Sequence, residues 1–185
     1  MNIRDLKFRD LKADEIDVRI SQIKENWLTL LLYKDARVDQ NILDETVGAF
    51  NWQRDHKELK GNIYCGISIY DEDTKQWITK WDCGKESFSD SEKGESSDSF
   101  KRSGFNWGIG RELYTAPFIL IPRIVKSNGK DIQLFELSGN TNKPATKTKF
   151  EVEKIQIENK VITGLAIKND KGIRVFTYVK KEEEK

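Results

Sequence analysis

The chain has one histidine, two cysteines, one methionine and three prolines in 185 residues. Cys65 and Cys83 match neither a disulfide framework nor a zinc spacing, and they read as packed free thiols. A lone His56 with no nucleophile near it in sequence defines no triad, so it reads as structural or exposed. Missing too is any G-x-x-x-x-G-K-[ST] loop; "GIGR", 108–111, has a G-x-G but lacks the third glycine and the βαβ context of a dinucleotide site. Nucleotide binding is set aside on these grounds. No apolar run approaches the roughly 18 residues that a membrane span needs. The opening "MNIRDLKFRD" has no apolar stretch behind its charges, as a secretory signal would. These absences point to a cytoplasmic chain without a membrane partner.

What is present is enough to fold. A hydrophobic fraction of 37% closes a core, and the length fits one domain or one domain with a small appendage. Net charge is only +1, but it is unevenly spread: residues 1–116 hold 18 Lys and Arg against 22 Asp and Glu, and residues 117–185 hold 14 against 9. Between 123 and 149, Arg123, Lys126, Lys130, Lys143, Lys147 and Lys149 face only Asp131 and Glu136, a stretch equally compatible with a solvated loop and with phosphate contact.

Periodicity sets out the elements. "DEIDVRISQIKEN", 14–26, places Ile16, Ile20 and Ile23 at helical spacing behind Asp14 as an N-cap, and predicts a first helix. "WLTLLLY", 27–33, reads as a strand. "DARVDQNILDETVGAFNW" puts Val38, Ile42, Leu43 and Val47 on one face before Gly48, a second helix. A meander follows, its strands alternating around the turn "DEDTK". A long helix from Ser89 or Ser91 to about Leu113 comes next, and after Pro117 the segments "FILIP", "DIQLFEL", "KFEVEKIQIE", "VITGLAIKN" and "IRVFTYVK" read as strands. The expected fold is α+β: an antiparallel meander against a long helix, with an N-terminal helix and an all-β appendage. Its expected division is a core at 1–116 and a basic β-rich appendage of open role at 117–185.

The long helix is unusual in composition. Lys93, Lys101, Arg102 and Arg111 supply cations, Ser96, Ser97 and Ser99 short donors, and Gly104 and Gly108 bare backbone, while Phe100 and Trp107 are placed to pack. An amphipathic helix whose glycines sit on a sheet explains this as well as a groove that tracks a nucleic-acid backbone.

The window "EKGESSDSFKRSGFNWGIGRELY" resembles the signature helix of the Rad-fifty-two-type single-strand annealing proteins, in their phage and prophage branch. "LLLYKDARVDQNILDETVGAFNW" is similar to the family's strand, arginine-bearing turn, helix, glycine and tryptophan, and "GNIYCGISIYDEDTKQWITKWDCGKES" to its following hairpin; together they cover residues 27–115. The resemblance implies a cofactor-free, non-enzymatic protein of a bacterial host cell. It would act in homologous recombination and DNA repair, forming a homo-oligomeric ring that binds single-stranded DNA and pairs complementary strands without ATP. By motif position Arg37 would contact the DNA backbone, Lys93 would make a second DNA contact, and Lys101 and Arg102 would stand in the family's Lys-Arg pair, with Lys34 counted beside them. The family's later basic cluster has no counterpart in "YTAPFILIP", so Arg111 or Arg123 would have to replace it. A nuclease or a single-strand binding protein is the kind of partner left open. Two alternatives stand beside it: a non-annealing single-strand binder, and a metal-dependent nuclease built on Asp71, Glu72, Asp73 and Asp82, acids that otherwise form turns.

Overall fold

A computed structural model describes residues 2–84, 91–140 and 143–181. In chain order the elements are β1 (Asp17–Ile23), β2 (Trp27–Tyr33), α1 (Ala36–Val47), β3 (Trp52–Leu59), β4 (Asn62–Asp71), β5 (Gln76–Cys83) and α2 (Ser91–Trp107). They continue with β6 (Ile119–Pro122), β7 (Ile124–Ser127), β8 (Lys130–Gln133), β9 (Ser138–Asn140), β10 (Lys143–Ala145), β11 (Phe150–Glu158), β12 (Val161–Asn169) and β13 (Arg174–Val179). The fold is α+β with antiparallel sheets, as expected. No helix among the described residues is long and apolar enough to cross a membrane.

The expected N-terminal helix is a strand. Val18, Ile20 and Ile23 pair with Leu32, Leu30 and Leu28 of β2, and the register slips by one residue between Ile20 and Gln22. A bulge of one residue moves the next inward side chain from position 22 to 23, so an interrupted alternation imitates helical spacing. Leu28 and Leu30, both buried, supply the apolar partner surface that settles the choice.

The division between units also falls elsewhere than expected. Residues 1–11 and 35–111 form one unit; residues 12–34 and 112–185 form the other. The β1–β2 hairpin belongs with the C-terminal strands because its pairing partners are there: β1 with β11, and β2 with β6. The second unit is a six-stranded sheet in the order β13-β12-β11-β1-β2-β6, with the hairpins β7–β8 and β9–β10 beside it. Leu28, Leu30, Ile119, Ile121, Leu165 and Ile167 are buried in its core. Asn169 ties its turns: its amide donates to the Leu134 carbonyl at 2.9 Å and its Oδ1 accepts from the N–H groups of Lys171 and Ile173.

In the first unit α2 lies on the sheet β3-β4-β5. Asp35 caps α1 by accepting from the Arg37 N–H, and Gly48, at φ +84°, closes it. Phe100 is fully buried and Trp107 donates its indole N–H to the Ile67 carbonyl at 2.9 Å. Ser103 accepts from the Ile67 N–H and donates to the Lys80 carbonyl, which fastens the helix to two strands at once. The helix stops at Trp107 rather than at Leu113. Gly108 takes φ +96°, its N–H bonds to the Phe105 carbonyl, and the Ile109 N–H bonds to the Gly104 carbonyl, the paired bonds of a Schellman motif.

Candidate nucleic-acid interface

The cations singled out in the sequence fall into separate groups. Arg37 stands at the start of α1 with its side chain 83% exposed, and its guanidinium bonds to the Asp35 carboxylate at 2.9 Å. The hydrogen bond from Arg37 is the main cause holding Asp35 below the ordinary carboxylate range; the Lys101 charge on α2 adds to it in the same direction. Arg37 thus holds the carboxylate by direct contact, and Lys101, distant in sequence, acts on it through its charge. Such an exposed ion pair is weak, and a phosphate can take the place of the carboxylate at little cost.

Arg102 turns the other way. It pairs with Asp82 of β5 at 3.2 Å, and Asn106 donates to the same carboxylate at 3.2 Å, so the Lys-Arg pair is split between α1 and the sheet. Arg111 is exposed and donates to the Phe105 carbonyl, at 2.8 and 3.0 Å, and to the Asn106 carbonyl, covering acceptors that the end of α2 leaves open. "GIGR" is therefore a helix stop with a cationic cap. Lys93 lies in the first turn of α2 with its side chain outside the described residues. Lys34 and Arg123 belong to the second unit. Lys34 is buried rather than offered to solvent, and Arg123 has its Nε buried without a hydrogen-bond partner.

Two cations that periodicity did not single out flank the helix. Arg54 and Lys80 pair in register with Ile67 from either side, so the three form one row across the sheet. The exposed Arg54 guanidinium lies 5.2 Å from the Phe100 ring centroid and the Lys80 ammonium 4.3 Å from that of Trp107. Lys80 also donates to the Asn106 carbonyl at 3.0 Å. Burial, and then the neighbouring Arg111 charge, pull the Lys80 ammonium below its ordinary value. The signal for both was their register opposite a buried isoleucine, which becomes visible only once the strands are paired.

The serines and acids divide similarly. Ser99 is buried and bonds to the Ser96 carbonyl, and Ser96 bonds to the exposed His56 at 3.2 Å. Asp71 accepts from the Thr74 hydroxyl and the Ile3 N–H, Glu72 pairs with Lys75, and Asp82 holds Arg102. Each of these three acids has its own partner. Among the described residues no group of three or more His, Cys, Asp and Glu side chains is gathered that could hold a metal ion. Cys65 is buried, which pushes its thiol up to about 11, and Cys83 is a free thiol as well.

No protein-family model, no curated protein and no solved structure matches this chain.

Proposed function

We propose that the chain binds single-stranded DNA through the α1–α2 side that carries Arg37 and Lys101, and that it anneals complementary strands without ATP as a homo-oligomer. The exposed Arg37 guanidinium at the start of α1, a helix packed against the α2 that bears Lys101, is the observation that carries the proposal, because it places two candidate phosphate contacts on neighbouring helices. Arginine's planar fork suits a phosphate, and annealing needs neutralised phosphates rather than bond making. Arg54, stacked on Phe100, offers further donors from the adjacent strand.

Self-assembly has its own support. β3 is one of the two edge strands of its sheet and every residue from Gln53 to Leu59 is exposed, a row of backbone groups of the kind that oligomers cover. In the second unit Leu31, Phe118 and Leu120 are 46%, 77% and 41% exposed beside an open cleft of about 480 Å³. Apolar surface so arranged marks a protein contact.

The test is annealing of complementary oligonucleotides without ATP, alongside a solution mass with and without single-stranded DNA. We expect a particle well above a dimer and an affinity for single strands that falls steeply with salt. Arg37→Ala should keep its melting temperature and particle size while losing about tenfold in affinity per repeated site. Lys93→Ala should keep more binding than annealing. Wild-type annealing by a folded, assembled Arg37→Ala chain would remove Arg37 from the interface; single-strand binding with no annealing would leave a plain single-strand binder.

A further inference from the structure

The sheet of the first unit has a second face. β3, β4 and β5 pair without a bulge, so alternate residues share a face throughout. Arg54, Ile67, Lys80 and Asp82 lie on the side of α2, whereas Lys57, Gly66, Tyr70, Trp77 and Trp81 lie on the opposite side.

On that side Trp81 lies flat on bare backbone. A Cβ built on Gly66 would stand 2.7 to 2.8 Å from three atoms of the Trp81 ring, so the absence of a side chain at Gly66 is what seats the indole. Over the ring stands a charge: the Lys57 ammonium is 4.4 Å from the centroid. Further along, Tyr70 and Trp77 pack with centroids 5.3 Å apart, and Trp77 is 42% exposed. The Ser68 and Thr79 hydroxyls, 2.7 Å apart, satisfy one another between the two aromatic groups. Trp77 and Trp81, four residues apart on one strand, are separated by about 13–14 Å, or about four stacked-base steps of 3.4 Å.

We propose that this face is a stacking platform for the unpaired bases of a single strand. Trp81 takes a base on its ring while Lys57 swings from the ring to a neighbouring phosphate, and the Tyr70–Trp77 pair receives a second base. The inference rests on the single-strand reading above and adds bases to what was a phosphate interface. Asp55, opposite Gly66 on β3, brings one acid to the same face and offsets Lys57. Stacking, which every base can make, therefore carries the affinity here, and charge carries it at Arg37.

The experiment titrates the full chain across salt with two probes of equal charge: a long thymidine oligonucleotide and the same sugar-phosphate strand without bases. Wild type should prefer the base-bearing strand. Trp81→Leu should weaken it about tenfold with the salt slope unchanged and the abasic strand unaffected, and Trp81→Phe should recover most of the loss. Lys57→Gln should reduce the salt slope by about 0.7. Equal binding of both strands by wild type, with a steep salt slope, overturns the platform and leaves the phosphate interface standing. Binding of neither strand overturns both. Should Trp81→Leu fail to melt cooperatively, the wild-type strand comparison and Trp81→Phe decide.

Discussion

Gly104 is the residue at which the contact between the two helices of the first unit is decided. A Cβ there would meet the Asp39 carboxylate oxygen at 2.5 Å, and Asp39 is fully buried. Alanine favours a helix over glycine by about 1 kcal/mol, but forcing a methyl into a closed contact costs about 1–3 kcal/mol, so the clash prevails. Gly104→Ala is expected to lower the melting temperature, as a thermal scan will show. Asp71 gives a pH dependence of definite sign. The Thr74 hydroxyl, and after it the Ile3 N–H, hold its carboxyl below the ordinary range. The stabilisation is complete above the unfolded carboxylate value, near pH 4, and is lost as pH falls through the lowered native value. Asp71→Ala should therefore reduce the melting temperature at neutral pH, and the gap to wild type should close on acidification. The division of labour among the cations was not legible residue by residue. Arg37, Lys101, Arg102 and Arg111 look alike in a string, and only paired strands show that Arg102 is held by Asp82 and that Arg111 covers helix carbonyls.

Elements were legible where one period was uninterrupted. α1 announces itself with an acidic cap, an apolar stripe and a closing glycine, and β4 with the alternation of Ile63, Cys65, Ile67 and Ile69. β1 was misread because a single bulge reproduces a three-and-four spacing, and periodicity alone has no means of telling the two apart. The end of α2 was misread for a different reason: apolar residues continue past Gly108, although two glycines at positive φ, Gly108 and Gly110, already end the helix. Gly108→Ala would place a side chain at φ +96° in the Schellman turn and should cost about 1 kcal/mol. Urea titration followed by circular dichroism measures it. An unchanged midpoint would mean that Arg111 and Lys80, on the last carbonyls, hold the turn without the glycine.

At the scale of the whole molecule the expected division at residue 116 and the observed one differ by the segment 12–34, which holds the β1–β2 hairpin, and by the short stretch 112–116. Residues 12–34 read as part of the first unit because they precede it, and no local signal reports a partner as distant as β11. A fragment ending at 116 would deprive β2 of β6 and β1 of β11, exposing Leu28 and Leu30. Such a fragment is expected to aggregate, whereas the full chain, which keeps β6 and β11, is not; gel filtration of the two distinguishes the outcomes. The same interleaving imposes an order in time. On a ribosome the hairpin emerges first and its partner strand β11 begins only at Phe150, well over a hundred residues after β2 ends at Tyr33. At about 5–20 residues per second the delay is roughly 6–23 s, far longer than the microseconds in which a hairpin forms. Until β6 and then β11 emerge, Leu28 and Leu30 lack the sheet that buries them. Nascent chains stalled before residue 150 should therefore be cut by protease within 12–34 while 35–111 resists, so that the unit whose strands come first in the chain is the last to close.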